Sequence, residues 1–332
     1  MGRCTLRLTV ASFLLGMLVI PASTLRAGPP RELLLPSFQA ATLAADFPIR
    51  DLRFAGDEDL LWLLGRTALW KWDILGRRLT RTSLPEEIRP PQQLLPQKDA
   101  LFISGPGRLF RFSRKTRDHR FFELPPDPQL QKALLLPLDP GFFWMQGRTI
   151  ARIDGQGIRH RPTRAGMALQ NGDLAAVTSG PVFWIARQGL LLRWQPGDAG
   201  PQVVHKNPAR LQQLIPWAGT LFTHTGDTVL RFDHRGEMIR AIPVENNRRL
   251  RRMALQDQRH TYLFTDGLVE TYDVDSATRH SWFPEIPGQG ERVTILRIKG
   301  PLLAVVNAGH PHLYVLEQPV RSAPRIVRKP GP

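Results

Sequence analysis

Residues 60–73 read LLWLLGRTALWKWD, and residues 142–154 read FFWMQGRTIARID. Both are an apolar run, Gly-Arg-Thr, a second apolar run and an Asp. The end of the second run recurs along the chain at Trp72-Asp73, Phe112-Ser113, Ile153-Asp154, Trp194-Gln195, Phe232-Asp233 and Tyr272-Asp273, then in weaker form at Tyr314. The spacings are 40, 41, 41, 38, 40 and 42 residues. A fixed period of this length is the mark of a repeat architecture.

Each unit also carries a glycine five to seven residues ahead of the marker, at Gly65, Gly105, Gly147, Gly189, Gly226, Gly267 and Gly309. Glycine there is expected to supply the positive φ of a tight hairpin between two strands. Polar turn residues follow each marker. Then comes a further short strand that often ends in proline, as in LTRTSLP and MIRAIPV. Another apolar segment precedes each hairpin, as in DLRFAG and TILRIKG. The unit is therefore four short strands. Helical repeats of similar length are excluded, because the apolar runs are only four to seven residues long and several turn signals fall in each unit. The sequence predicts an all-β chain, a seven-bladed β-propeller of four-stranded antiparallel blades, in which ring packing covers both faces of every blade.

DLLWLLGRTALWKWD (59–73) and TLFTHTGDTVLRFD (220–233) resemble bacterial propeller repeats of the two-component-regulator type. Trp72-Asp73 also falls where WD40 blades place Trp-Asp, although no Gly-His dipeptide opens the blades. The resemblance covers nearly the whole chain after its first 27 residues. It implies a fold and transfers no catalytic residue.

The chain has 332 residues, 42% of them hydrophobic, with 27 Gly and 30 Pro. Residues 1–27 have the form of a signal peptide: Arg3 and Arg7, an apolar stretch from Leu8 to Ile20, then small residues. Cys4, the only cysteine, lies inside it, so a processed chain would carry no disulfide. Export to a periplasm or cell envelope is the expectation. Residues 28–48 form an N-terminal segment in which Arg31 to Phe38, RELLLPSF, matches the outer-strand pattern. It is predicted to close the ring beside Leu313 to Leu316, with Val320 to Val327 as the alternative. The propeller is assigned to 49–320 and a basic tail to 321–332.

Without residues 1–27 the chain keeps 42 basic residues against 29 acidic ones, a net charge of +13. That excess favours anionic surroundings. The residue before each marker is basic in five units, Lys71, Arg111, Arg152, Arg193 and Arg231, and Thr271 in the sixth. These read as inter-blade packing residues whose stems lie along neighbours. A second basic set lies ahead of the first strand of the units. Arg53, Lys132, Arg164, Arg210, Arg252 and Arg292 are expected to ring the channel mouth as ligand-binding residues, since guanidinium groups hold phosphate or carboxylate bidentately.

No Gly-x-Ser-x-Gly, His-Glu-x-x-His or phosphate-loop motif is present. No catalytic residue, metal ligand set or cofactor is assigned. His310 and His312 share a spacing that could chelate, but Pro311 and the lack of a third ligand argue against it. RRLRRM at 248–253 comes with no recognition helix or stacking platform, so nucleic acid is not expected. The reading is a binding or scaffold module for a protein partner or an anionic ligand, such as an acidic polysaccharide or phosphate-bearing lipid, with peripheral membrane contact compatible. The alternative is a propeller enzyme, a hydrolase or lyase, acting on an anionic or sugar-like substrate at the mouth.

Overall fold

A computed structural model describes residues 31–32, 46, 48–55, 60–116, 118–123, 133–138, 141–154, 158, 163–164, 166, 168–170, 172–244, 248–256, 259–273, 278–283, 293–300, 302–307 and 313–317. The segments 1–27 and 321–332 assigned from sequence lie outside the described residues.

The first strand, β1, is Arg31–Glu32. Blade one is β2 (Asp51–Phe54), β3 (Leu60–Leu64), β4 (Ala68–Asp73) and β5 (Arg78–Ser83). Blade two is β6 (Gln93–Pro96), β7 (Ala100–Gly105), β8 (Arg108–Ser113) and β9 (His119–Glu123). Blade three is β10 (Ala133–Pro137), β11 (Phe142–Gln146), β12 (Thr149–Ile153) and β13 (Thr163–Arg164). Blade four is β14 (Leu174–Thr178), β15 (Val182–Arg187), β16 (Leu190–Trp194) and β17 (Gln202–Lys206). Blade five is β18 (Ile215–Trp217), β19 (Thr220–His224), β20 (Thr228–Phe232) and β21 (Met238–Pro243). Blade six is β22 (Leu250–Gln256), β23 (Arg259–Phe264), β24 (Val269–Asp273) and β25 (Thr278–Phe283). The last strands are β26 (Val293–Lys299), β27 (Leu302–Asn307) and β28 (Leu313–Glu317).

All pairings are antiparallel, and the chain is an all-β propeller of four-stranded blades. Among the described residues, six sheets are contiguous in sequence. A seventh is composite, in the order β1-β28-β27-β26, and joins the two ends of the chain. Its outer strand is described for two residues only, Arg31 opposite Glu317 and Glu32 opposite Leu316. The rest of the expected closing strand, residues 33–38, and the alternative at 320–327 lie outside the described residues. The marker positions fall on β4, β8, β12, β16, β20, β24 and β28, each the third strand from the centre.

The core sits between blades, not within them. Leu61, Leu63, Trp70 and Trp72 of blade one pack on Leu302, Ala304, Val306 and Val315 of the composite sheet. Leu60, Trp62 and Leu64, on the other face of blade one, pack on Leu94, Leu101 and Ile103 of blade two. Period-two alternation therefore feeds two separate cores, which is why β3 and β7 are buried at every position, with Ser104 the one polar side chain on them. Outer strands face solvent, as in the polar β5 and in β21, where Met238 and Ile239 are exposed.

The basic residue before each marker stands directly across from an aromatic one on the second strand. The pairs are Trp62–Lys71, Phe102–Arg111, Phe143–Arg152, Trp184–Arg193 and Phe222–Arg231. Lys71 Nζ lies 5.8 Å from the Trp62 ring centroid, and the Arg152 and Arg231 guanidinium carbons lie 5.9 and 5.3 Å from their rings, within cation–π range. Arg193 donates through Nε to His234 O of blade five at 2.9 Å, so this position also ties neighbouring blades. In blade six a Thr261–Thr271 hydroxyl bond of 3.0 Å takes its place.

The hairpin glycines divide into two kinds. Gly189 has φ +79°, and a Cβ there would also run into Asn207 O. Gly65 and Gly105 do not have the positive φ expected of them. In the hairpin after β7 it is Gly107 that takes φ +69°. Gly65 is required for space, because a Cβ would collide with the Asp46 carboxylate. That carboxylate accepts from Thr67 N (2.7 Å), Thr67 Oγ1 (2.9 Å), Ala68 N (3.1 Å) and Trp70 Nε1 (2.8 Å). The N-terminal segment is thus pinned to the first hairpin by one buried acid. Asp46→Ala orphans those donors and should cost about 3 kcal/mol, read as a fall in the urea midpoint, with Asp46→Asn intermediate. An unchanged midpoint would remove Asp46 from this role.

Candidate anion-binding arc on the inner strands

Inner strands of a propeller lie at the ring centre, so polar groups on them face one another across blade boundaries. Here side chains link several inner strands to their neighbours. Asp51 Oδ2 accepts from Leu94 N at 3.0 Å. Gln92 and Gln93 Oε1 accept from Ala133 N (2.9 Å) and Leu135 N (2.6 Å). Gln213 Oε1 accepts from Met253 N at 2.7 Å. Each bond satisfies a backbone donor that no neighbouring strand can reach.

Asp51 has further partners. Its Oδ1 accepts from Leu52 N at 2.8 Å and from Arg297 Nη2 at 3.1 Å, and its Oδ2 from Arg53 Nε at 3.3 Å. Arg297 also donates through Nε to Leu52 O at 3.1 Å and through Nη1 to Leu296 O at 3.0 Å. Burial alone would raise the Asp51 pKa. Arg53, Arg297 and two backbone N–H donors outweigh it and hold the carboxyl below its ordinary value. Arg297 is pushed down to about 10 by burial, then by Arg53, and also by Arg252, against the attraction of Asp51. It stays a cation at neutral pH. Its side chain as a whole keeps 29% of its surface accessible.

Arg53 of blade one and Arg252 of blade six therefore flank Arg297 of the composite sheet, both near enough to act on it, and Asp51 is the acid that Arg53 and Arg297 share. Arg252 donates through Nη1 to Arg251 O at 3.3 Å, beside a bulge between Leu250 and Arg252. Burial, then Arg251, lowers its pKa. Arg210 is exposed and reaches Gly172 O at 3.4 Å, bridging the loops before β18 and β14.

Three of the six residues expected at the mouth thus lie on or just ahead of inner strands: Arg53, Arg210 and Arg252. Lys132 and Arg292 lie outside the described residues. Arg164 does not join them: it is on β13, the outer strand of blade three, opposite Thr149. Residues 163–164 supply the fourth strand of their own blade instead of leading into the next. Arg297 is not among the residues expected at the mouth, since it lies in the middle of β26 and not near the start of a first strand. The available signal was its place in TILRIKG, two residues after buried Ile295 and so on the same strand face.

Two histidines border this region. His224 ends β19 and is fully enclosed; burial first, then Arg252 and Arg251, lowers its pKa to about 3. His260, on β23, is lowered to about 4 by burial and by Arg231. Both are neutral when folded in mild acid but take a proton when unfolded. Unfolding then binds protons, and stability falls as pH drops below about 6.5 toward the folded values. Asp51 adds a loss of the same sign lower still, below the ordinary carboxylate range. The urea midpoint should therefore fall from about pH 7 to about pH 5, and His260→Phe, which keeps an aromatic ring beside Phe222, should flatten that fall. An unaltered slope in the variant would contradict a buried neutral His260.

No family model matches the chain, and no curated protein matches it. Solved structures do. A catalytically inactive virginiamycin B lyase from Staphylococcus aureus, with quinupristin, aligns with a TM-score of 0.64 at 13% identity, over 87% of this chain and 98% of that one. The WD40 domain of Pan2 from Neurospora crassa aligns at 0.60 with 14% identity, over 82% and 89%. The computationally designed protein Ika8 aligns at 0.58 with 12% identity, over 81% and 83%. At these identities the likeness is one of fold alone, that of a β-propeller.

Proposed function

We propose that the protein is an exported, non-enzymatic binding module of the periplasm or cell envelope that receives an anionic ligand or partner on the arc of Arg53, Arg210, Arg252 and Arg297. The observation that carries this is the convergence of Arg53 and Arg297, from two sheets, on the single carboxylate of Asp51, with Arg252 of a third sheet near enough to act on Arg297. Like charges gathered on one wall leave a field that an anion relieves. Guanidinium groups suit the carboxylates of an acidic polysaccharide or the phosphate of a lipid headgroup. The WD40-like neighbours fit a binding or scaffold role. A +13 chain processed after residue 27 would be drawn to such surfaces, including an anionic membrane face.

The second reading, a propeller enzyme, has one observation in its favour: His224 is a neutral imidazole beside Arg251 and Arg252. Against it, a base with a pKa of about 3 lies far below the neutral range in which proton abstraction is efficient.

Binding to immobilised heparin or to anionic vesicles should weaken steeply with salt, since the Debye length is about 8 Å at physiological ionic strength. Changing Arg210, Arg251 and Arg252 together to Ser should reduce retention at fixed salt by about tenfold, whereas Ser at Arg77, Arg78 and Arg81, at and after the β4–β5 turn, should matter much less. Equal losses from both triple variants would leave only non-specific attraction to a basic protein.

A further inference from the structure

Among the described residues five large apolar side chains are exposed, and three of them fall on one stretch of the rim. Val203 on β17 is 49% exposed, and Met238 and Ile239 on β21 are each 51% exposed. Of the other two, Leu75 is in the β4–β5 turn of blade one, and Phe121 on β9 lies against the Phe110 and His119 rings. Strands β17 and β21 are the outer strands of neighbouring blades, and three contacts press them together. Gly236, in the β20–β21 turn, is buried, and a Cβ there would run into Val204. Arg193 of blade four reaches His234 O of the same turn at 2.9 Å. The His205 ring lies 5.3 Å from that of Phe232, the residue across from Met238. The three exposed apolar side chains thus belong to one ridge at the outer edge of the seam between blades four and five.

The charge along this ridge is positive. Lys206, Arg235 and Arg240 are exposed, and none of them pairs with a carboxylate among the described residues. Two nearby acids are already engaged. Asp233 accepts from Arg235 N and Glu237 N, each at 2.9 Å, and Asp198 accepts from Gln195 N at 2.8 Å and lies 3.7 Å from Arg193 Nη1. The exposed acid beside the three cations is Glu237. An outer strand can also take a further strand along its open edge. Here both edges are irregular: β17 is bulged opposite Leu191 and Leu192, and β21 is bulged opposite Arg231 and Phe232 and ends at Pro243. Bulges and proline blunt an edge against pairing. The ridge therefore suits a surface that meets side chains and not backbone, one that is anionic outside and apolar beneath.

We propose that this ridge docks the protein on an anionic lipid bilayer. Val203, Met238 and Ile239 enter the boundary between headgroups and acyl chains, while Lys206, Arg235 and Arg240 meet the lipid phosphates. Neither set suffices alone. Three half-exposed apolar side chains bury little surface, and exposed cations are screened over about 8 Å at physiological ionic strength. Together the two weak signals give reversible binding to membranes that carry both features. The proposal adds a second surface to the anion-binding reading of the arc without resting on it, and gives membrane contact a place of its own in the fold.

Co-sedimentation with vesicles of phosphatidylcholine alone and of an equimolar mixture with phosphatidylglycerol tests this. The protein used is the chain processed after residue 27, which keeps every described residue and lacks the apolar stretch from Leu8 to Ile20. It should bind the mixture and not phosphatidylcholine alone. Val203→Ser, Met238→Ser and Ile239→Ser together should weaken that binding by about tenfold and leave heparin retention unchanged. Ser at Lys206, Arg235 and Arg240 should also weaken it by about tenfold, and Ser at Arg77, Arg78 and Arg81 much less. A second measurement keeps the ridge otherwise intact: a fluorophore attached through Ile239→Cys, in a chain with no other cysteine, should be quenched by lipids brominated on the acyl chains. Undiminished vesicle binding by the apolar triple variant, or no quenching, overturns the ridge and leaves the arc in place. Binding to neither vesicles nor heparin overturns both readings. Capture of an extended peptide that alternates Leu and Glu, with vesicles unbound, assigns the ridge to a protein strand and overturns the lipid surface.

Discussion

The Asp51 carboxylate stands where blades one and two and the composite sheet meet, and the ring depends on it in two ways. It accepts from Leu94 N of blade two and from Arg297 of β26, so one side chain spans both boundaries of blade one. One of those boundaries joins the beginning of the ring to its end, the bonded partners being 246 positions apart in the sequence. Closing so long a loop has a substantial entropic cost. The apolar cluster of Leu52, Trp70 and Trp72 with Leu302, Ala304 and Val306 supplies the non-directional part of the compensation. Asp51 supplies direction, because its bonds are satisfied only in one register of the three inner strands.

The same carboxylate sets the electrostatics of the ring centre. Two guanidinium groups, Arg53 and Arg297, share one acid, with Arg252 near enough to disfavour the charge on Arg297. A carboxylate so placed remains ionised well into acid, and the local balance stays positive. The wall is thus ordered by its own ion pairs while retaining charge for a ligand. This differs from a loose basic rim, where long side chains would lose rotamer freedom on binding.

Much of the fold was legible because ring packing writes itself into sequence. A blade buries both faces, so its second strand must be mostly apolar and buried, as LLWLL and FFWMQ are. Its third strand must carry a residue that can lie along a neighbour, hence the Lys or Arg opposite an aromatic side chain. What was not legible depends on contacts made across blades. Gly65 has the expected identity for an unexpected reason, since Asp46 approaches it from 19 positions earlier in the sequence. Arg164 has the composition of a mouth residue but lies on an outer strand, because blade three takes its fourth strand late. Arg297 and His224 owe their charged surroundings to residues on other blades, Asp51 and the pair Arg251 and Arg252, and the alternation in TILRIKG gives the strand face of Arg297 without its partner.

The central claim is that Asp51 and Arg297 are coupled across the closure of the ring and do not merely lie near each other. A double-mutant cycle in urea unfolding, with Asp51→Asn, Arg297→Met and both together, measures that coupling directly. The account predicts an interaction energy of about 1–3 kcal/mol, with the double variant more stable than the sum of the single losses implies, because each single change strands a buried partner. Additive losses, within about 0.3–0.5 kcal/mol, would show that the pair does not hold the ring and would contradict the account.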